Sequence, residues 1–303
     1  MKSYLQCFKY DPIKPLLQSP QPALHYFTHT EILENTSISS IEIRNLAEVQ
    51  QIFRKQQNNG SFHIPVKQKQ TNGVNYALLE TYRNLRYLVD PYQLNSTDPS
   101  VKHACEYIWS CQTEEGDIRG LLANQYTPYY TGAMLSLLIK AGYVDDIRTK
   151  QAFDWLLSMR QKDGGWVIGS PGMISRHFTM EEKNKLTSDV TYPAAQYFDA
   201  SKPFSAAGTG MVLRAFAEHP RYKQSAAAQK AAQLLNSKLF KKDNWSSYQH
   251  PDNWLRFQYP FWWTNLISAL DTLSKIGVPN TDPHITHALN WLIDHQQPNG
   301  LWK

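Results

Sequence analysis

The sequence predicts an all-α protein assembled from repeated helix pairs. Three observations carry this. Apolar residues recur at helical spacing along most of the 303 residues, one short Gln–Gly–aromatic element returns several times, and half-polar helical segments alternate with nearly all-apolar ones. The chain is 42% hydrophobic and 13% aromatic with only 19% charged residues, which suits a sizeable core and excludes a largely disordered chain.

In chain order, residues 1–40 read as an extended lead-in, interrupted by Pro12, Pro15 and Pro20, with a short helical stretch at 22–34. Residues 41–303 read as the repeat domain. Half-polar segments fall at 42–57, 100–112, 147–161, 223–240 and 283–297. Each is followed by an anchor: Phe62, Ile118, Trp166, Trp245 and Trp302. Gln161, Gly164 and Gly165 precede Trp166; Gln296 and Gly300 precede Trp302; Gln56 and Gly60 precede Phe62. The copies ending at Ile118, after Gln112 and Gly116, and at Trp245, after Phe240 and Asp243, are degenerate. The Gln lies where helix carbonyls lack intrahelical partners, so its amide is expected to donate to one of them or to a neighbouring loop. Gly supplies the positive φ that turns the chain, and the aromatic packs over the turn.

The apolar segments follow the anchors, at 74–89, 129–141, 205–218 and 262–277, and are rich in small residues, as in Thr131-Gly-Ala-Met. Apolar helices inside and amphipathic ones outside would make two layers. The spacing from Trp166 to Trp245 is too long for one repeat and marks an insertion. Five half-polar segments face four apolar ones, so either 22–34 supplies a fifth apolar helix or the chain stops before it. Ending directly after an anchor, at Trp302-Lys303, fits truncation. Asp145-Asp146 begins an outer segment and reads as an N-terminal cap.

The net charge of +5 is mildly basic, but no Lys/Arg cluster forms a nucleic-acid patch, so no nucleic-acid partner is expected. Three cysteines, Cys7, Cys105 and Cys111, cannot all pair with one another and have no metal-ligand spacing. A reducing, cytoplasmic setting is the expectation. The N-terminus has no apolar core of a signal peptide, and the apolar run 133–139 is too short to span a bilayer.

The Gln161…Gly164-Gly-Trp166 and Gln296…Gly300-Leu-Trp302 elements resemble the QW motifs of squalene-hopene and oxidosqualene cyclases, whose superfamily includes the β-subunits of protein prenyltransferases. The segment from Phe257-Gln-Tyr-Pro-Phe-Trp-Trp to Asp271 resembles a stretch of bacterial and archaeal prenyltransferase-like proteins. The resemblance covers roughly 42–303. It implies an α/α toroid, a barrel of alternating inner and outer helices around a central cavity, and with it an apolar, isoprenoid-like ligand. It specifies fold better than activity. The Asp-x-Asp-Asp acid of the cyclases, the Asp-x-Cys zinc site of the prenyltransferases and the aspartate-rich magnesium motif are all missing here. No metal and no cofactor is therefore expected.

In a toroid, every loop from an outer to an inner helix opens at the same end, where inner-helix N-termini add a positive dipole. Those loops carry the candidate cavity residues His63, Tyr129, Tyr130, Arg176, His177, Tyr192, Tyr197, His250, Arg256, Tyr259, Trp262 and Trp263. Asp199 and Asp189 are the candidate noncanonical acids. The stretch 167–204 is long for a connection and suits a lid or binding loop. Each residue has a structural reading as well. Trp262 and Trp263 at a helix start would pack, the histidines would bind loop backbone, and Asp189 and Asp199 would cap turns.

Three functions fit. The first is binding of an isoprenoid or similar apolar molecule in the central cavity, with cyclase- or prenyltransferase-like chemistry on a noncanonical acid. The second is a noncatalytic toroid serving as a binding or interaction module. The third is a carbohydrate-active enzyme on the same scaffold, since stacking aromatics and paired carboxylates also suit sugars. The expected partner is a small apolar molecule; peripheral membrane contact and oligomeric state stay open.

Overall fold

The computed structural model describes residues 3–35, 37, 41–65, 73–168, 199–245 and 250–302. Among these the chain is all-α, with short 3-10 and π turns and isolated β-bridges. It divides into two compact units, residues 55–278, and residues 1–54 together with 279–303. No helix among the described residues is long and apolar enough to cross a membrane.

The larger unit holds α4 (Tyr76–Val89), α5 (Pro99–Trp109), α6 (Pro128–Leu138), α7 (Ile147–Ser158), α8 (Ala206–Glu218), α9 (Ala226–Ser237) and α10 (Leu266–Ile276). The apolar helices α4, α6, α8 and α10 pack on one another in succession. The half-polar α5, α7 and α9 cover them, so two layers form as the patterning predicts. Every residue of α6 is buried. Its Gly132 lets α8 approach until a Cβ would stand 2.6 Å from Val212 Cα.

The helix starts follow from local chemistry. Asn75, Asp98, Asp146, Ser205, Ser225 and Asn265 each accept a main-chain N–H in the first turn of the helix they precede. Asp146, of the predicted pair, is the cap of α7. α10 starts later than the periodicity suggests. Asn265 and Ser268 form a reciprocal capping box, so Trp262 and Trp263 lie in the loop before the helix and not on its first turn.

The first two anchors repeat to the atom. Gln56 Nε2 donates to Gly60 O (3.2 Å) and Ser100 O (2.8 Å); Gln112 Nε2 donates to Gly116 O and Arg148 O (2.9 Å each). One amide thus closes its own turn and grips the first turn of the next half-polar helix. The clearest copy in the sequence departs from this. There Arg160, not Gln161, stands four residues before the turn glycine, and its Nε and Nη2 donate to Gly164 O (3.1 and 3.0 Å). Gln161 is one position late. Its side-chain amide meets the carbonyls of Asp199, Ala200 and Lys202 at 2.8–3.1 Å, contacts that its nitrogen satisfies as donor once the amide is oriented by its hydrogen-bond partners. At the fourth anchor Trp245 is half-buried, while the buried Trp254 donates its indole N–H to Lys241 O.

A second recurrent bond joins anchor to apolar helix. The main-chain N–H groups of Phe62, Ile118 and Trp166 donate to the hydroxyls of Thr81, Thr131 and Thr209 at 3.1, 3.2 and 2.9 Å. Phe62, Ile118 and Trp166 are all fully buried.

The smaller unit holds α1 (Ile13–Leu17), α2 (Pro22–Phe27), α3 (Ala47–Phe53) and α11 (Pro283–Asp294). The lead-in is not extended. Ser3–Cys7 is a 3-10 helix, and α1 forms despite Pro15 because Asp11 caps Ile13 N–H and Pro15 sits in the first turn, where its missing N–H leaves no bond unmade. The stretch 22–34 is helical, α2 continuing into a π turn at Thr28–Ile32. Phe8 packs edge-on against Trp302 with ring centroids 5.7 Å apart.

Candidate functional site

The larger unit brings its aromatic residues together around the loop 256–265. Both ends of that loop are fixed. Upstream, the 3-10 turn Pro251–Leu255 holds Trp254. Downstream, Asn265 caps α10 and its Nδ2 donates to Arg256 O at 3.2 Å. Between them, the carbonyls of three consecutive residues point at two guanidinium groups of the apolar layer. Arg86 of α4 donates from Nη1 to Pro260 O (2.9 Å). Arg214 of α8 donates from Nη1 to Phe261 O (3.1 Å) and from Nη2 to Trp262 O (2.8 Å). The loop therefore lies against α4 and α8, its main chain turned towards them.

Trp262 is the hub. The Arg86 guanidinium lies 4.4 Å from its ring centroid, Tyr82 4.9 Å and Tyr130 6.2 Å. Trp263 stacks on Tyr129 at 6.1 Å and lies 6.0 Å from Tyr130. Tyr129 and Tyr130 are 4.6 Å apart at the start of α6. Such offset and edge contacts each add about 0.5–1.5 kcal/mol beyond burial.

The electrostatics are unusual for an apolar layer. Burial holds Arg86 below the ordinary arginine range, and burial raises the Tyr82 hydroxyl, with Arg214 and Arg86 opposing that rise. Towards the C-terminal ends of the same helices, charges alternate. Lys140 lies 2.9 Å from Asp90 and 3.5 Å from Glu218; Lys275 lies 2.8 Å from Glu218 and 2.9 Å from Asp271. Burial disfavours the Lys275 charge, but hydrogen bonds to Asp271 and Glu218 outweigh it and lift the ammonium.

Two cavities border the loop. One of about 200 Å³ is lined by Arg256, Phe257, Trp263 and Asn265. Another of about 320 Å³ opens beside Val89, Asp90, Lys140 and Tyr259. Between Tyr82, Arg86, Arg214 and Phe261 only about 10 Å³ remains, and Asp90, Glu218, Asp271 and Lys140 line the same gap.

Of the residues singled out in the sequence, Tyr129, Tyr130, Trp262 and Trp263 converge, and Arg256 joins them at the first cavity. Tyr259 is 58% exposed at the second. His63 is exposed, its main chain bonded to Lys55. His250 is exposed, accepts the Asp252 N–H and lies 3.2 Å from the Asp252 carboxylate. Asp199 accepts from Ser201 N–H and Oγ at 2.9 and 2.6 Å. These bonds, led by the Ser201 hydroxyl, hold its carboxyl below the ordinary range, so it is ionised at neutral pH. Arg176, His177, Asp189, Tyr192 and Tyr197 lie outside the described residues.

Sequence reasoning missed Tyr82, Arg86 and Arg214. The available signal was a charge inside an otherwise apolar run, as in Met211-Val-Leu-Arg214-Ala-Phe216. Among the described residues no group of three or more His, Cys, Asp or Glu could hold a metal ion.

Solved structures similar to this chain include a protein from Actinoplanes, 14% identical, matching 96% of this chain and 71% of its own with a TM-score of 0.47. They also include the type II terpene cyclase MstE from Scytonema. Its complex with geranylgeranyl dihydroxybenzoate is 15% identical over 84% of this chain and 78% of that one, with a TM-score of 0.32. Its apo form is 14% identical over the same shares, with a TM-score of 0.30. No family model and no curated protein matches the sequence.

Proposed function

We infer that the protein binds an isoprenoid or similarly apolar molecule against the aromatic cluster of Tyr129, Tyr130, Trp262 and Trp263, without cyclising it. The observation that carries this is the meeting of four aromatic residues from two separate elements beside a cavity of about 200 Å³ lined by Phe257 and Trp263. Apolar walls with a few convergent polar groups are the usual make-up of a small-molecule site. The cavity is smaller than a full drug-sized pocket, so it suits one end of a chain-like ligand.

The noncatalytic half of the reading rests on charge. Trp262 is the most central π-face, and it already carries the Arg86 cation at 4.4 Å. A carbocation stacked on the opposite face of the same ring would lie roughly 8 Å from that guanidinium, a repulsion of about 2 kcal/mol at an effective dielectric of 20. Asp199, the described candidate acid, is half-buried and ionised at neutral pH, a poor state for protonating an alkene.

The test is tryptophan fluorescence and thermal shift with farnesol, geranylgeraniol and squalene, followed by chromatography and mass spectrometry of recovered ligand. Saturable quenching, a raised Tm and unchanged ligand are expected. No response to any of the three overturns the binding reading. A product of equal mass and altered retention overturns the noncatalytic half alone.

A further inference from the structure

The larger of the two cavities beside the loop shares no lining residue with the smaller one, nor with the cluster of Tyr129, Tyr130, Trp262 and Trp263. Its walls are Val89, Asp90, Gln93 and Leu94 at the end of α4, Lys140 just after α6, and Tyr259. Its charges lie in opposed pairs. Lys140 Nζ donates to Asp90 Oδ1 at 2.9 Å and lies 3.5 Å from Glu218. The Asp90 side chain is 5% exposed. Among the described residues Asp90 Oδ2 accepts no hydrogen bond, and the ammonium, with three N–H donors, meets these two carboxylates alone. One acceptor and one donor are thus left over, side by side and of opposite charge.

Two further features belong to the same cavity. The chain leaves α4 through Gln93 at φ +52°, with Leu94 N–H donating to Leu88 O at 3.0 Å. Glycine takes that conformation without cost, so a glutamine stands at the cavity under strain. Tyr259 is 58% exposed, the most exposed aromatic of its loop, and offers a ring face at the rim.

We propose that this cavity is a second binding site, for a neutral, hydroxyl-rich ligand the size of one sugar ring, stacked on Tyr259 and hydrogen-bonded by Asp90, Lys140 and Gln93. It is independent of the apolar-ligand reading above.

The lining selects that chemistry. A hydroxyl both donates and accepts, so two adjacent hydroxyls give to Asp90 Oδ2 and take from Lys140 Nζ. Both bonds are charge-assisted and about twice as strong as neutral ones. An anion in the same place faces the Asp90 carboxylate and a cation faces the Lys140 ammonium, so a net charge gains on one side what it loses on the other. A wholly apolar ligand would strip water from the ion pair and return no hydrogen bond. The C–H face of a sugar ring is apolar and covers the negative face of the Tyr259 ring, while Val89 and Leu94 complete the apolar wall. A volume of about 320 Å³ is at the small end for ligand pockets, which fits one ring.

The test is saturation-transfer NMR and thermal shift on the intact protein with glucose, galactose, mannose and N-acetylglucosamine. Cyclohexanol, glucosamine and inorganic phosphate are the comparisons. At least one neutral sugar should bind saturably, with Kd on the order of 1 mM and at least ~5-fold more tightly than cyclohexanol. No saturable response to any of the four sugars up to roughly 50 mM overturns the site and leaves the apolar-ligand reading standing. Cyclohexanol binding as tightly as the best sugar overturns the hydroxyl chemistry. Phosphate or glucosamine binding more tightly than every neutral sugar overturns the charge argument. Tyr259→Ala should weaken the best sugar about 5-fold, and Tyr259→Phe should stay within about twofold of the parent. Gln93→Gly should weaken it with Tm unchanged or raised. Both positions are exposed, so the variants keep the core. Undiminished affinity in Tyr259→Ala overturns the placement at this cavity. Geranylgeraniol should leave the sugar affinity within about twofold, and competition between the two overturns a separate site.

Discussion

Gln296 and Tyr10 exchange two hydrogen bonds between opposite ends of the sequence. Tyr10 N–H donates to Gln296 Oε1 at 2.8 Å, and Gln296 Nε2 donates back to Tyr10 O at 2.9 Å. The same Nε2 closes its own turn on Gly300 O at 2.9 Å. Gln56 and Gln112 spend their second bond on Ser100 and Arg148, in the first turn of the following half-polar helix. The segment leading into α1 takes that role for the last anchor, which is why residues 10–12 fold against it.

Gln296→Leu should therefore destabilise the smaller unit by about 2 kcal/mol, from three bonds lost together, one buried and two part-buried. Hydrogen exchange is the sharper measurement. Amides of 8–17 and 297–302 should exchange faster while those of α6 keep their protection. Unaltered exchange at Tyr10 would show that the pairing carries no weight.

At the third anchor, Arg160 does the work of the recurrent Gln. Arg160→Gln restores the side chain used at the other anchors, so its stability should stay within ~0.5 kcal/mol of the parent, whereas Arg160→Leu should lose about 1 kcal/mol with Gly164 O left unpaired. Urea unfolding measures both. Equal losses in the two variants would contradict the register.

Gly116 and Gly277 separate strain from crowding. Both have positive φ, +105° and +99°. A Cβ on Gly116 would stand 2.5 Å from Gln151 O on α7, whereas one on Gly277 meets nothing within 4 Å. Gly277→Ala should cost about 1 kcal/mol, the left-handed penalty alone. Gly116→Ala should cost at least ~2 kcal/mol, because α7 must also move. Tm shifts of similar size would refute the close approach.

His219 gives the protein a pH dependence near neutrality. Burial holds its imidazole below the ordinary histidine value, and its Nδ1 accepts the N–H groups of Arg221 and Tyr222. Between the folded pKa and the unfolded value of about 6.5, the unfolded chain binds the extra proton. Stability is thus fullest above about pH 6.5 and falls as the pH drops through that window. Tm should decline from pH 7.5 to 5.5, and His219→Asn, which keeps an acceptor but cannot titrate, should flatten the decline. An equal slope in the variant would assign it to other groups.

The main helices and their two layers are legible in the amino-acid pattern alone. Patterning local to each segment suffices for that. The all-apolar run of α6 has to be buried wherever it lies, and Asp98-Pro99 or Asp282-Pro283 starts a helix from its own side chains. The anchors were legible because Gln, Gly and an aromatic lie within a few residues of one another. Their exact register was not, since Arg160 and Gln161 both donate readily and only the position of Gly164 O and the turn 199–202 distinguishes them. Of the candidate site, Tyr129, Tyr130, Trp262 and Trp263 stood out as aromatics at the starts of apolar segments, though nothing local showed that the two pairs meet. The tertiary structure alone decided the partners of Arg86 and Arg214, which lie 174 residues from Pro260 and 48 from Trp262. A charge in an apolar helix is a cost in sequence terms, and what offsets it here is a set of main-chain carbonyls, which every residue carries and no sequence pattern marks.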